Sequence, residues 1–467
     1  MLYLILGVFF CLFFASMLLS GQLEYNSALI PVAICGLISL VNMRECYKKS
    51  RCIYDVYLWI WFFMFISTFV APLIHFCSGI WVEHMFTYPP SWYPYAFIIA
   101  ISYLCVIILW TIMLRPRSIS PLTLNSKVWS FKKNSNRFLI LVMLCSFVSQ
   151  VYIYYSYGGI WGYMQAFTES SLYETQFSGM GVYFLLSDLF PSIFLIYIIK
   201  NMEGRKCKGL YVNIIILLVF LSALFFGGLR GSRSNVLILM STALILIHLK
   251  LYRLKKIHWA LYVLFFFLFM YVGRLYKDQG VQVFNEQERT MQIAVSELSP
   301  VESTIVGDFS RFGINTYQLY SLERKEDFKY KLGQTYLWGV LTFIPFGSSI
   351  IAIFDITSRT EASSELFYNG YYISSRILGP LGEWMINFGL HTFLIIYIIL
   401  GVLFKRIRKF VCNLSFHDSR FYLIPSIITL LPQMIISDSS NVMYFFIKRI
   451  LLLWIIIYIV SHKTEKS

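Results

Sequence analysis

The sequence predicts an all-α polytopic membrane protein with about twelve transmembrane helices and one large external loop late in the chain. Three observations predict it. The 467 residues are 58% apolar and 18% aromatic with only 13% charged, and the mean hydropathy is +0.66, a balance that excludes an ordinary soluble globule. Apolar runs long enough to cross ~30 Å of hydrocarbon, at ~1.5 Å per helical residue, recur along the chain. The Lys and Arg residues behind the net charge of +15 cluster between those runs rather than along one helix face. That is the distribution of membrane topology, not of nucleic-acid binding.

The runs fall near 2–20, 28–43, 54–76, 94–114, 138–157, 181–199, 211–227, 235–250, 258–275, 384–404, 421–436 and 442–461. Residues 1–275 then hold transmembrane helices one to nine, 276–383 the large loop with short or interfacial helices, and 384–467 helices ten to twelve. Alternate loops collect the positive charge: Arg44 to Arg51, Arg115 to Arg137, Lys200 to Lys208, Lys250 to Lys256, Lys405 to Arg420 and the tail. The opposite short loops at 21–27, 77–93, 158–180 and 437–441 hold no Lys or Arg. Both termini are therefore expected on the cytoplasmic side.

The 276–383 stretch, expected to be a small external domain, is long enough to escape the charge rule and balances its bases with acids such as Glu286, Glu302 and Glu323. Its apolar part, 336–354, cannot be a further span without putting Lys405 to Lys409 on the wrong side. It reads as an interfacial or re-entrant segment broken around Pro345 and Gly347. The first run lacks a basic start and reads as a retained helix rather than a signal peptide. Nine cysteines lie scattered without a CxxC pair or a His/Cys cluster, so neither a disulfide framework nor a zinc site is expected.

Charge in the wrong place points to the site. "GGLRGSRSN", 227–235, sets Arg230 and Arg233 in a short external turn whose neighbouring loops are bare of positive charge. Gly227, Gly228 and Gly231 allow a tight turn, and Ser232, Ser234 and Asn235 can cap the next helix, whose amino end adds partial positive charge. The arginines either anchor the turn at lipid headgroups or cradle a phosphate or pyrophosphate, whose oxygens match the guanidinium fork. Lys448 and Arg449 stand about two turns, ~10 Å, inside the last run. There each needs a polar cavity or an acid such as Asp188 or Asp438.

Two loop stretches add candidates. "GDFSRFG", 307–313, holds Asp308 and Arg311, and "SSRILGPLGEWMINFG", 374–389, brings Arg376 and Glu383 to the mouth of the tenth run. A carboxylate at a partly dry mouth gains a raised pKa and can act as a base. Glu383 equally reads as a helix-start partner and Asp308 as the ion-pair mate of Arg311. His391 reads as a packed residue of the tenth helix. No GxxxxGK[ST], DxD, HExxH or GxSxG occurs, so chemistry resting on arginines, without metal or cofactor, is the default.

At these residues the chain resembles the Wzy-type O-antigen or oligosaccharide-repeat-unit polymerases of the bacterial inner membrane. The resemblance lies in the architecture, the "GGxRxxRSN"-like turn at Gly227 to Asn235, the element Ser375, Gly382, Glu383, Asn387, Phe388 and Gly389, and the basic Arg449 in the last run. It implies a C-type glycosyltransferase-like enzyme of the cytoplasmic membrane, facing the periplasm, that inverts and is metal-independent. A growing glycan would pass from undecaprenyl pyrophosphate to the non-reducing end of an incoming lipid-linked repeat unit. Arg230, Arg233, Arg311, Arg376, Lys448 and Arg449 would clamp the pyrophosphate, with Glu383 or Asp308 as base. Trp338, Tyr368, Tyr371, Tyr372 and Trp384 would stack on sugars, or serve as interfacial belt residues. Partners would be the lipid-linked oligosaccharide, membrane lipid and a chain-length regulator, with no nucleic acid. A lipid-linked oligosaccharide flippase and an O-antigen ligase are the alternatives.

Overall fold

The computed structural model describes residues 27–50, 55–78, 93–115, 128–169, 180–204, 209–230, 233–279, 300–344, 346–368 and 377–464. In chain order its helices are α1 (Leu29–Ser50), α2 (Val56–Ser78), α3 (Tyr93–Met113), α4 (Ser135–Ser156), α5 (Gly159–Glu169), α6 (Gly181–Met202), α7 (Gly209–Phe226), α8 (Arg233–Lys250) and α9 (Lys256–Gln279). The shorter helices α10 (Pro300–Asp308), α11 (Phe312–Arg324), α12 (Gln334–Leu341), α13 (Gly347–Ile353), α14 (Arg359–Tyr368) and α15 (Gly379–Phe388) follow, then α16 (Leu394–Cys412), α17 (Ile424–Ile436) and α18 (Ser439–Val460). Strands β1 (Val128–Phe131) and β2 (Ser461–Thr464) form the one small sheet among the described residues.

Nine of the described helices are long and apolar enough to cross a membrane, and Asn235–Lys250 within α8 is a shorter apolar helix. The chain is therefore an all-α, multi-pass membrane protein. The run at 2–20 lies outside the described residues. The run at 384–404 is not one helix: α15 stops at Phe388 and α16 begins at Leu394. Gly389 makes the stop, because its φ of +76° with ψ of −179° is an extended conformation that glycine alone enters readily. His391 lies exposed in the intervening turn, not packed inside a helix.

Contacts divide the chain into two compact units. The first comprises Met1–Ser120, Val301–Cys412 and Leu431–Met443. In it the stretch after residue 300, expected to be a small external domain, packs against the apolar helices α2 and α3. Ser310 donates to the Ser67 carbonyl at 3.0 Å, a group in the π turn Ile66–Val70 halfway along α2. Phe309 stacks on Phe63 with centroids 6.1 Å apart, and Asn315 donates to the Tyr103 hydroxyl at 3.0 Å. At its other end α11 sets Tyr320 beside Tyr95, 5.5 Å between centroids. The α10–α11 pair is thus a hairpin that turns beside the middle of α2 and runs back antiparallel along α3.

Non-helical backbone at that depth must have its polar groups satisfied. Arg311 does this: its Nε donates to Ile436 O at 2.9 Å and one terminal nitrogen donates to Gly307 O and Ser310 O, each at 2.6 Å. A buried cation therefore closes the carboxyl ends of α10 and α17, where the helix dipole favours positive charge. α15 packs on α11 through Gly382, where a Cβ would come within 2.6 Å of both Asn315 Oδ1 and Gln318 Oε1. Gly382→Ala is expected to destabilise the protein by roughly 1–3 kcal/mol through overpacking. A thermal midpoint equal to wild type in the purified protein would contradict that packing.

The apolar stretch 336–354 is broken as expected, into α12 and α13, with Phe346 in the left-handed region at φ +66°; Pro345 lies outside the described residues. Leu337, Ile344, Phe346, Ile353 and Phe354 are exposed, as suits a lipid-contacting segment. At the Lys/Arg-rich end of this unit, Arg408 grips Asp55 with both nitrogens, at 3.0 and 2.8 Å. Two loops that the charge bias assigns to one side are thereby joined.

The second unit comprises Pro121–Pro300, Asn413–Leu430 and Tyr444–Ser467, and its positively charged loops also meet one another. β1 pairs antiparallel with β2, Val128 opposite Thr464. Lys200 donates to Ser135 Oγ at 2.6 Å. Lys250 pairs with Glu203 at 2.7 Å and lies 4.1 Å over the Phe416 ring, so charge neutralisation and cation–π attraction act together.

Candidate functional site

In the second unit the site begins with a distortion of α18. Residues Ile447–Leu451 form a π turn, the kind of one-turn bulge that often marks a functional site. In an α-helix neighbouring side chains diverge by ~100°; the wider π turn reduces that angle and lets Lys448 and Arg449 reach the same residue. That residue is Asn235. Its Oδ1 accepts from Lys448 Nζ at 2.9 Å and from Arg449 at 3.2 Å, and its backbone carbonyl accepts from Arg449 at 3.1 Å.

Lys448 also donates to the Tyr444 hydroxyl at 3.2 Å and forms an ion pair with Asp188; Arg449 reaches Ser192 Oγ at 3.5 Å. Asp188, Asn235, Lys448 and Arg449 are all buried. A small cleft lies against them, lined by Asp188, Phe226, Gly227, Asn235 and Arg449 among others.

Of the two acids weighed for the basic pair, Asp188 takes Lys448, while Asp438 pairs with Arg359 in the first unit. Asn235, expected to cap α8, turns its side chain to the basic pair instead, because two cations compete successfully for its one oxygen. Arg233 starts α8 and donates to Met270 O of α9 at 3.3 Å. Its stem lies against Gly273, where a Cβ would sit 2.5 Å from Arg233 Cγ. Arg230 ends the short helix Gly228–Arg230. The Arg230 side chain, all of Arg376, and Tyr371 and Tyr372 lie outside the described residues.

The first unit holds the carboxylates. Glu383 is 1% exposed, so it does not stand at an open mouth. Its Oε1 accepts from Ser439 Oγ at 2.6 Å and Thr335 Oγ1 at 2.9 Å, and its Oε2 accepts from Ser439 N at 2.7 Å, the amino end of α18. Asn387 holds Thr335 in place, donating to its hydroxyl at 2.7 Å. Asp438 completes the cluster by accepting from Leu378 N and Gly379 N, both at 2.9 Å, at the start of α15. Asp308 ends α10, half-buried. Arg311, spent on three backbone carbonyls, holds the hairpin together rather than presenting a free fork to a phosphate.

Burial, and then the Asp438 carboxylate, push the Glu383 carboxyl up to about 7, against the hydrogen bonds from Ser439 and Thr335. Since the folded value exceeds the unfolded one, near 4.5, the contribution to stability is complete below about pH 4.5. It is lost as pH rises through about 7. The thermal midpoint is expected to fall between pH 5.5 and 8, and Glu383→Gln to flatten that fall, since the Thr335 and Ser439 hydroxyls can turn to accept from the amide. Equal slopes in both proteins would contradict the assignment. Near this carboxyl the Tyr336 hydroxyl is buried without a hydrogen-bond partner, and burial with the two carboxylates holds it protonated.

Comparison with protein-family models, with curated proteins and with solved structures gives no match. The site residues that sequence reading passed over are Arg359, the partner of Asp438, and Thr335, Ser439 and Tyr336. The one available signal was "ISDSSN", 436–441, an acid and serines between two apolar runs.

Proposed function

We propose that the protein polymerises lipid-linked oligosaccharide repeat units as an inverting, metal-independent glycosyltransferase of the bacterial cytoplasmic membrane. One observation carries the reading. Asn235, from the glycine–arginine turn, and Arg449, from the last helix, were singled out separately, and they meet at one small buried cleft that Asp188 also lines. In the reaction an acceptor sugar hydroxyl attacks the anomeric carbon of the donor glycan. The bond to undecaprenyl pyrophosphate breaks with inversion, and the hydroxyl proton passes to a carboxylate. The growing charge on the leaving pyrophosphate is where fixed Arg and Lys donors lower the barrier. The reading assigns that charge to Lys448, Arg449 and Arg233, with Arg230 and Arg376 as further donors. It assigns the proton to Asp308, or to Glu383 once Ser439 or Thr335 moves aside.

The probe for the cleft is geranylgeranyl pyrophosphate, titrated into the protein in nanodiscs beside geranylgeraniol. The pyrophosphate is expected to bind at least tenfold more tightly, with the advantage lost in Arg449→Ala and reduced by salt. Equal binding of the two lipids would sink the reading.

A second reading, a lipid-linked oligosaccharide flippase, draws on the broken helices and buried ionisable groups around Arg311, Glu383 and Asp438, which transporters also place at mid-membrane. Translocation of labelled lipid without any new glycosidic bond would favour it.

A further inference from the structure

At the Lys/Arg-rich end of the second unit one cationic cluster has no acid to balance it. Lys200, near the end of α6, donates to Ser135 Oγ at 2.6 Å and to Asn136 Oδ1 at 2.5 Å, both at the start of α4. Asn136 is itself fixed, donating to Asn201 Oδ1 at 2.9 Å. The Phe131 ring lies 5.3 Å from the ammonium and supplies no oxygen. One of the three Lys200 protons therefore has no oxygen acceptor among the described residues. Lys133, in the turn before α4, and Arg137, in the first turn of α4, are exposed, and neither pairs with an acid among the described residues. Lys132 is already engaged, donating to the Ile459 carbonyl near the end of α18 at 2.8 Å.

The imbalance is built into the chain. No Asp or Glu occurs between Glu83 and Glu169, while 115–137 carries six Lys or Arg. Two acids at this end of the unit are taken elsewhere. Glu203 accepts from Lys250 at 2.7 Å and from the Tyr422 hydroxyl at 2.9 Å, and Asp418 accepts from Arg420 at 2.6 Å.

The cluster also ends a lipid-facing surface. Arg137, Leu141, Leu144 and Val148 recur at helical spacing along one face of α4, and all four are exposed. That face is apolar along its length and cationic at its end, the complement of a lipid with apolar chains and an anionic phosphate. Trp129 and Tyr458, with centroids 5.2 Å apart, put amphipathic rings at the same end, as suits the headgroup level.

We infer that Lys133, Arg137 and Lys200 bind the phosphodiester of an acidic phospholipid whose acyl chains lie along the exposed face of α4. The site goes beyond the polymerase reading and does not depend on it. Lys200 stands twelve residues along α6 from Asp188 of the Arg449 cleft, ~18 Å away at ~1.5 Å per residue.

Two features set it apart from the general attraction of basic loops to membranes. A lysine that only marks topology reaches into water on a mobile stem, whereas side chains of another helix fix two of the Lys200 protons. No acid offsets the three charges, so a zwitterionic headgroup would bring its own ammonium into a cationic site, a repulsion that an acidic lipid avoids.

The test is native mass spectrometry of the full-length protein in detergent, titrated with phosphatidylglycerol and with phosphatidylethanolamine of the same acyl chains. Phosphatidylglycerol is expected to bind at least tenfold more tightly. Lys133→Ala with Arg137→Ala removes only exposed side chains and should lower that affinity at least fivefold at an unchanged elution volume. Lys405→Ala with Arg406→Ala takes the same charge from exposed positions in the first unit and should leave it within twofold of wild type. Lys200→Met should repeat the loss. Equal affinity for the two lipids, equal losses in the two double variants, or full affinity in Lys200→Met overturns the site. Excess inorganic phosphate should not displace the lipid; displacement would assign the cluster to a free anion and overturn the lipid.

Discussion

Asp438→Ala is expected to destabilise the protein by roughly 3–5 kcal/mol, the usual penalty for removing one partner of a buried ion pair. Asp438 is fully buried at 0% exposure, and Arg359, its partner, is 6% exposed. Its second oxygen accepts the Leu378 and Gly379 amides at 2.9 Å. The substitution therefore takes the carboxylate away from a buried cation and leaves two buried N–H groups without their acceptor, each N–H costing about 1–3 kcal/mol if it stays dry. Asp438→Asn should fall between wild type and alanine, because the amide oxygen still serves the backbone while the charge is lost. Thermal midpoints in detergent, with protein yield as a second readout, would show the order. A midpoint for Asp438→Ala within experimental error of wild type would contradict the central place given to this residue.

The second large effect is on activity. Arg449→Lys is expected to lower glycan transfer by about 10²–10³-fold, the range seen when one preorganised donor to a developing anion is removed. Charge is conserved in this variant, so a point-charge role would leave activity nearly intact. What is lost is the planar fork, which here spans Asn235 O, Asn235 Oδ1 and Ser192 Oγ at once, an arrangement an ammonium cannot reproduce. Turnover within threefold of wild type would remove Arg449 from the transition-state account.

Much of this architecture was legible because hydropathy and charge act directly on the chain. Nine of the long runs became helices long and apolar enough to cross a membrane, and Lys/Arg clusters joined within each unit, as Asp55 with Arg408 and Lys250 with Glu203 illustrate. The hairpin α10–α11 was not legible for the opposite reason. Asn315, Thr316 and Gln318 are each 0% exposed, yet their polarity makes the segment read as a water-facing loop; Thr316 bonds back to Phe312 O one turn away, while the Asn315 and Gln318 amide nitrogens find acceptors distant in sequence, at Tyr103 and Gly382. The break at Gly389 was hidden in a continuous apolar run, since one glycine within it carries no hydropathic mark.

The site was legible in the same uneven way. Lys448, Arg449 and Glu383 announced themselves as charges out of place, and the π turn that aims the basic pair at Asn235 leaves no trace in composition. Arg311 carried the same signal for a different reason: it neutralises exposed carbonyls at two helix ends.

The most direct measurement is a product gel. Lipid-linked repeat units accumulated by cells lacking the protein would be supplied to the purified protein in liposomes, with EDTA present. The account predicts a ladder of increasing glycan length that disappears in Arg449→Lys. Wild-type protein that is folded yet converts none of its own repeat unit into longer glycan would contradict it.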